Sequence, residues 1–268
     1  MRLAGLLCAL WLASGLAQAA EPARFTAQLE GELVIGPQGQ VLEVAFKDAG
    51  WLGEDVRRGY EAKVREWKFE PVRVQGQPIS ARGRMRLDLL AERDDEARTA
   101  SFAVQRAVFL DPETYRGPGK VPSLRAPLYP RDAALTGIGA LVVVAARVDA
   151  EGRPTEAATE YLHLTGPDPG AQGRRFANQF QRATLAAIKY WTLKDVAPGE
   201  LVRIPVRYLA PGQSREERRW TRVRPVPVEV PAWVVAASAA QAPIELADSG
   251  ERGSARLRLL TPLGLPGK

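Results

Sequence analysis

Apolar and polar residues alternate at the start of residues 25–91 in a way that predicts two strands joined by a tight turn. Apolar side chains or glycine occupy every second position over residues 29–35, which is the period of a half-buried strand. The sequence Gly-Pro-Gln-Gly at residues 36–39 is a turn signal, and residues 41–46 form the expected partner strand. The short turn makes this pair antiparallel.

A helix and a third strand are predicted in the remainder of the same stretch. Apolar residues recur there at three- and four-residue spacing and therefore share one helical face. These residues are Leu52, Val56, Tyr60 or Val64, and Trp67. Pro71 ends the helical region, because proline disrupts a continuing helix. Residues 79–89 then alternate apolar with polar side chains, as in a strand with one buried face.

The same order of elements is predicted a second time further along the chain. Residues 141–148 and 155–164 form two strands around a turn at residues 149–152. An amphipathic helix follows, from Arg174 to Trp191.

The last strand of this second unit covers residues 202–208. Its apolar residues alternate with Arg203, Pro205 and Arg207. Pro205 has no backbone N–H to donate to a neighbouring strand, so one side of this strand is predicted to be an open sheet edge.

These patterns predict an α+β fold of two small two-layer units, each a three-stranded antiparallel sheet packed by a helix. The predicted organisation is a signal peptide at residues 1–19, a shortened unit at 25–91, a linker with an extra strand at 102–110 inside 92–125, a second unit at 126–210 and a Pro/Arg-rich region of unassigned structure at 211–268. Within that last region, residues 256–260 are predicted to form one late strand.

The N-terminal residues have the pattern of a secretory signal. Arg2 precedes an apolar stretch over residues 3–16, and Ala17-Gln18-Ala19 has the small-x-small form of a cleavage site. We therefore expect export to a bacterial periplasm without a stable membrane span. The alternative is an uncleaved inner-membrane anchor, since the apolar stretch approaches the roughly 17 residues of a spanning helix.

Composition narrows the chemistry that is expected. Cys8 lies inside the predicted signal and is the only cysteine, and His163 is the only histidine. Neither a histidine–cysteine metal site nor thiol chemistry is expected. The sequence also lacks a nucleophile elbow, a phosphate loop and a dinucleotide fingerprint. We therefore predict no enzymatic activity, no cofactor and no metal, and we interpret His163 as a partly exposed strand residue.

The net charge of +6 is carried mostly by arginine. It is compatible with an anionic partner such as peptidoglycan, lipopolysaccharide or an acidic peptide, and equally with a solvated arginine-rich surface. Nucleic acid is not an expected partner, because the chain is predicted to be exported and carries no recognised binding motif.

The second unit contains three ordered motifs, which are Ala-Pro-Leu-Tyr-Pro-Arg-Asp-Ala-Ala at residues 126–134, Gly-Ile-Gly at 137–139 and Val-Asp-Ala-Glu-Gly at 148–152, followed by the helix that ends at Trp191. In this ordered set it resembles the C-terminal domain of the bacterial energy transducer TonB. The first unit resembles a shortened copy, and its Trp-Lys-Phe-Glu-Pro at residues 67–71 is similar to the Trp-x-Phe-x-Pro signature of the family. The resemblance implies the fold more directly than a function.

In the TonB family, a segment of an outer-membrane receptor adds as a strand to the last strand of this domain. The resemblance therefore implies a candidate peptide-binding edge strand. Its residues are Val202, Arg203, Ile204, Val206, Arg207 and Tyr208. The alternative is an edge that proline and the flanking arginines protect from aggregation.

A second candidate surface consists of Arg82, Arg84 and Arg86, which project from one face of one predicted strand. They are candidate contacts to an anionic glycan or lipid headgroup, and the alternative is a solvated strand face.

Two departures from the TonB family bear on function. The predicted signal is cleavable, and no long proline-rich spacer follows it before residue 29. The second unit also has Trp-Thr-Leu-Lys-Asp at residues 191–195 in place of the family signature. The expected function is a non-enzymatic periplasmic interaction or scaffolding module that binds a peptide, an envelope protein such as an outer-membrane receptor, or peptidoglycan. The alternative is a TonB-type energy transducer retained by an uncleaved anchor and supporting receptor transport.

Overall fold

One large β-sheet of nine strands, accompanied by few helices, makes this a mixed α/β structure. The computed structural model describes residues 22–112, 124–194, 196–213, 220–240, 243–247 and 252–263. The predicted signal at residues 1–19 lies outside the described residues.

The strands are β1 (Ala23–Ile35), β2 (Val41–Lys47), β3 (Arg73–Val74), β4 (Gln77–Pro78), β5 (Ala81–Asp94), β6 (Thr99–Leu110), β7 (Gly139–Val148), β8 (Pro154–Thr165), β9 (Leu201–Tyr208), β10 (Thr221–Val226) and β11 (Ile244–Glu245). The helices are α1 (Glu54–Arg65), α2 (Arg131–Leu135), α3 (Gly173–Ile188) and α4 (Ala232–Ala240). The main sheet has the order β11-β9-β7-β8-β10-β1-β5-β6, and β2 also pairs with β1. Strands β3 and β4 form a separate two-stranded hairpin.

The first half of the sheet is built around β1. This long strand pairs antiparallel with β5 along its whole length and with β2 over its second part. Helix α1 packs on one face of these strands, where Tyr60, Val64 and Trp67 are buried. The extra strand predicted at residues 102–110 is part of β6, which pairs with β5.

The second half repeats this arrangement around β7. Strand β7 pairs antiparallel with β8 on one side and with β9 on the other. Helix α3 packs on one face, and its Phe176 and Phe180 share an apolar core with Trp191. Because β7 is buried on both faces, its sequence is almost continuously apolar rather than alternating.

A matching hydrogen bond closes the hairpin turn of each half. The N–H of Phe69 donates to the carbonyl of Gly39 at 2.8 Å, and the N–H of Leu193 donates to that of Gly152 at 2.8 Å. The two glycines have φ values of 79° and 78°. A Cβ atom on either one would lie 1.9 Å from the carbonyl oxygen of its partner residue. Both turns therefore require glycine.

The two halves are not separate three-stranded units, because β10 joins them into one sheet. Val223 of β10 pairs with Thr165 of β8 on one side and with Arg24 of β1 on the other. This strand lies in residues 211–268, where the sequence predicts only one late strand, at residues 256–260. Strand β10 thus pairs with the edge of β8 in the second half and with the edge of β1 in the first half.

The C-terminal residues also take up defined positions. Strand β11 pairs parallel with β9. Leu257 is buried in the apolar core under α1. The late strand predicted at residues 256–260 is reduced to a single bridge between Leu259 and Phe69. The last described residues therefore cover the first half rather than forming a unit of their own.

Candidate functional site

The sheet faces that point away from α1 and α3 lie against each other. Asp88 of β5 accepts a hydrogen bond from Arg207 of β9 at 2.8 Å. Arg106 of β6 donates to the same carboxylate through Nε at 2.7 Å and to the carbonyl of Leu246 at 2.8 Å. The two ends of the sheet therefore meet around a buried cluster of charges.

Asp88 is 1% exposed and stays ionised because of this cluster. Burial by itself would raise the pKa of its carboxyl group. The guanidinium groups of Arg106 and Arg207 and a hydrogen bond from Gln28 outweigh that effect and hold the pKa below its usual range. The cluster thus fixes the relative position of the two halves.

A cavity of about 1160 Å³ lies beside this cluster, between the two halves. We call it the central cavity. Its charged and aromatic lining includes Arg24, Glu92, Tyr161, His163, Arg203 and Glu245. Side chains from β1, β5, β8, β9 and β11 thus converge on one space, which is the usual arrangement of a ligand pocket.

The C-terminal residues form one wall of the central cavity. The N–H of Leu246 donates to the carbonyl of Arg203 on β9 at 3.0 Å. Further along, the N–H of Gly253 donates to the backbone carbonyl of Glu245. The N–H of Ser254 donates to the backbone carbonyl of Phe109 on β6. Residues 244–246 therefore lie beside β9 and residues 253–254 lie beside β6, and residues of both stretches line the cavity.

Two polar side chains of β8 lie in this cavity without a partner among the described residues. His163 is 6% exposed, and its Nδ1 atom is buried and makes no hydrogen bond there. The buried hydroxyl of Tyr161 is likewise unpaired within the described part of the chain. Their rings are 5.3 Å apart. Buried polar groups are normally satisfied, so two unsatisfied atoms on neighbouring positions of one strand face are unusual.

The protonation states of both groups follow from burial. Burial, and then the positive charges of Arg24 and Arg207, lower the pKa of His163 to about 4. Burial raises the pKa of the Tyr161 hydroxyl. Both side chains are therefore neutral near pH 7 and can each donate and accept hydrogen bonds. The prediction that His163 is partly exposed is wrong, because the curled sheet turns this face of β8 inward.

One end of the cavity carries two carboxylates around one guanidinium. Arg203 forms hydrogen bonds with Glu160 and, at 3.3 Å, with Glu245. The buried Glu245 Oε2 atom accepts no hydrogen bond from any described residue, and an Arg106 nitrogen lies 3.7 Å from it. Burial raises the pKa of Glu245 despite the nearby arginines. This end would be stabilised by a positively charged or donating ligand group.

The predicted edge strand, β9, has two different faces. Val202, Ile204 and Tyr208 are buried in the core under α3, and Val206 packs against it. The Tyr208 hydroxyl is 2.8 Å from that of Thr184. These apolar side chains contribute to packing rather than to an exposed surface.

The other face of β9 belongs to the interior between the halves. Arg203 lines the central cavity, and Arg207 contacts Asp88. The backbone edge of this strand is partly occupied, because β11 pairs with it at Val202 and Arg203. Peptide binding at the edge stays a prediction, and a segment of the same chain already covers its first part.

The predicted arginine surface lies on the face of β5 that points away from α1. Arg86 is within 3.0 Å of Glu30, and Arg82 is 4.0 Å from Glu32 on the neighbouring strand β1. Arg84 lies opposite Glu32 in the same ladder. Glutamates of β1 therefore offset part of the positive charge of these arginines. Binding of an anionic partner here stays a prediction.

The inward positions of Asp88, Tyr161 and His163 were not predicted from the sequence. Asp88 occupies a polar position of an alternating strand, where solvent exposure is the usual expectation. Tyr161 and His163 occupy the corresponding positions of β8. The available signal was an aromatic residue and the only histidine two positions apart on one strand face.

Fold and cavity together define a mixed α/β protein whose nine-stranded sheet curls around a cavity between its two halves. No family model, curated protein or solved structure matches the chain. Within the described ranges, no helix is long and apolar enough to cross a membrane. The same residues contain no cluster of three side chains able to hold a metal ion.

Proposed function

We propose that this protein is an exported, non-enzymatic binding module of the periplasm and that its ligand occupies the central cavity. The observation that carries the proposal is a cavity of about 1160 Å³ whose lining brings charged and aromatic side chains of five strands together, among them Tyr161 and His163. This volume exceeds the roughly 300–1,000 Å³ of typical small-molecule pockets. A peptide or a cell-wall fragment is therefore a better match than a single metabolite.

Binding is favoured over catalysis by the state of the cavity's ionisable groups. A general base works best with a pKa near the operating pH. The pKa of His163 is lowered to about 4, and burial raises that of Tyr161, so neither group is tuned for proton transfer near pH 7. The charged side chains around them are largely engaged in ion pairs, which suits recognition by a fixed pattern of charges.

Each half, with its helix on an antiparallel sheet, keeps the resemblance to the TonB C-terminal domain as a hypothesis. Within that hypothesis, the alternative function is an energy transducer retained by an uncleaved anchor. The intact mass of the protein purified from its cell envelope distinguishes the two. A mass lacking about the first nineteen residues supports the exported binder, and a full-length membrane-bound chain supports the transducer.

The binding proposal is tested with a variant that fills the cavity. Ala255 lines the cavity and is exposed, so Ala255→Trp places an indole at its mouth without overpacking a core. Ala236→Trp is the matched control, because Ala236 is exposed on α4 and outside the lining. Both variants should fold, as judged by circular dichroism.

The probes are penta-alanine with free termini, the same peptide with both termini capped, and the peptide-free disaccharide of peptidoglycan. Calorimetric titration should detect binding of at least one probe to the parent protein and to Ala236→Trp. The same titration should detect at least a tenfold loss in Ala255→Trp. Binding of no probe, or equal binding by both tryptophan variants, would overturn the proposal.

A further inference from the structure

The central cavity has two ends of different charge. The two ends lie at different positions along the strand direction of the sheet. Glu160, Glu245 and Arg203 mark the first end, where two carboxylates face one guanidinium. The Glu160 and Glu245 side chains are each 19% exposed, so a ligand ammonium group can approach this pair and offset its net negative charge.

The other end presents groups that suit a carboxylate. Arg24 is held by Glu92 through Nε at 2.6 Å, and its side chain remains 32% exposed. His163 and Tyr161 line the same cavity, with their unsatisfied polar atoms themselves buried. Arg24 and Arg207 both lower the pKa of His163, which reports a positive potential at this position.

The spacing of the two ends follows from the strand register. Arg203 pairs with Ala145 of β7, while His163 pairs with Leu141 of the same strand. Four residues of β-strand correspond to about 13–14 Å. Three strand spacings between β11 and β8 add up to about 14 Å sideways in a flat sheet, and less in a curled one. Glu160 itself lies on β8, three residues from His163, or about 10 Å along the strand. The two ends are therefore about 10–20 Å apart.

An extended peptide of three to six residues spans that distance at about 3.3–3.6 Å per residue. From these observations we infer that the ligand is a short zwitterionic peptide, with its N-terminal ammonium at Glu160 and Glu245 and its C-terminal carboxylate at Arg24 and His163. The mixed signs of the lining disfavour a polyanion such as lipopolysaccharide or an acidic glycan. This inference rests on the proposed function and specifies the ligand of the same cavity.

The test compares penta-alanine with its N-acetylated, C-amidated and doubly capped forms, and with dialanine. Each single cap should weaken binding at least tenfold, because it removes the charge that one end recognises. The doubly capped peptide and dialanine should show no measurable binding, since the first carries neither charge and the second cannot reach both ends. Affinities are measured by calorimetric titration of the mature protein.

Two substitutions assign the ends. Glu245→Gln should weaken binding of the free peptide at least tenfold. In this variant N-acetylation of the peptide should have no further effect on affinity, whereas C-amidation should still weaken binding. Arg24→Gln should show the reverse pattern. Glu61→Gln is the control, because Glu61 pairs with Arg57 on α1, outside the cavity lining. A thermal melt of each variant verifies folding.

The outcomes separate the inference from the proposed function. If capped and free peptides bind equally and Ala255→Trp removes this binding, the inference of a zwitterionic ligand is overturned. The proposal that the cavity is a binding site is then retained. The same holds if only the disaccharide binds and Ala255→Trp removes that binding. Failure of all probes would overturn both. Caps that weaken binding equally in the parent, Glu245→Gln and Arg24→Gln would overturn the assignment of the two ends.

Discussion

The Asp88 carboxylate and the Arg207 guanidinium meet at 2.8 Å although their strands are far apart in the sheet. Four strands lie between β5 and β9 in the hydrogen-bonded order. In a flat sheet, five strand spacings of roughly 4.8 Å would separate them by about 24 Å. The contact therefore requires a sheet that curls back on itself, and the space inside the curl is the central cavity.

The buried cluster should contribute strongly to stability. Arg106 is 5% exposed and Asp88 is 1% exposed, so Arg106→Met leaves a buried carboxylate with one guanidinium fewer. We expect the free energy of unfolding to fall by about 3–5 kcal/mol, measured by urea denaturation. Arg57→Met is the control, since its partly exposed pair with Glu61 should contribute no more than about 1 kcal/mol. Similar losses in both variants would contradict the role of the cluster.

The hairpin, helix and third strand of each half are predictable because their signals are local. Alternating positions indicate β1 and β5, and three- and four-residue spacing indicates α1 and α3. The joining strand β10 carries no such signal. It is short and contains Pro225, and its partners Thr165 and Arg24 are distant in sequence. Only the three-dimensional pairing defines it, so the prediction of separate units missed the continuous sheet.

The candidate site was less predictable than the fold for a related reason. A polar residue in an alternating strand is normally expected to face water. Asp88, Tyr161 and His163 occupy such positions, but the curl of the sheet turns them inward. Glu245 belongs to a two-residue strand that no periodic pattern can reveal. The cavity therefore depends on global curvature, which the local pattern does not encode.

The two closing turns give a prediction with an internal control. Gly39→Ala and Gly152→Ala should each lower the free energy of unfolding by at least about 2 kcal/mol, because alanine is strained at positive φ and its Cβ meets a carbonyl oxygen. Gly59→Ala should instead stabilise by about 0.5–1 kcal/mol, since Gly59 lies within α1 with nothing nearby. Chemical denaturation measures all three. Destabilisation in only one of the two turns would contradict their equivalence.

The C-terminal segment should be part of the folded core of the first half. Leu257 is 4% exposed and packs under α1, whereas Leu260 is 57% exposed. Leu257→Ala should lower the free energy of unfolding by about 2–5 kcal/mol, and Leu260→Ala by no more than about 0.5 kcal/mol. Urea denaturation of both variants provides the comparison. Equal effects would show that the segment is not docked as described.

Protonation of His163 should make stability depend on pH. Burial and the charges of Arg24 and Arg207 lower its pKa to about 4, whereas a histidine in an unfolded chain titrates near 6.5. Between these values the unfolded state binds a proton that the folded state does not. Stability should therefore decrease as the pH falls through this window, by roughly 3 kcal/mol in total.

His163→Gln removes the titrating group and keeps a polar side chain. Because His163 is the only histidine, the difference between the two proteins isolates its contribution from that of the carboxylates. Urea denaturation between about pH 7 and about pH 4.5 should give a visibly flatter profile for the variant. Parallel profiles would mean that His163 has the same pKa in the folded protein and in the unfolded chain. That result would contradict the buried, neutral imidazole described above.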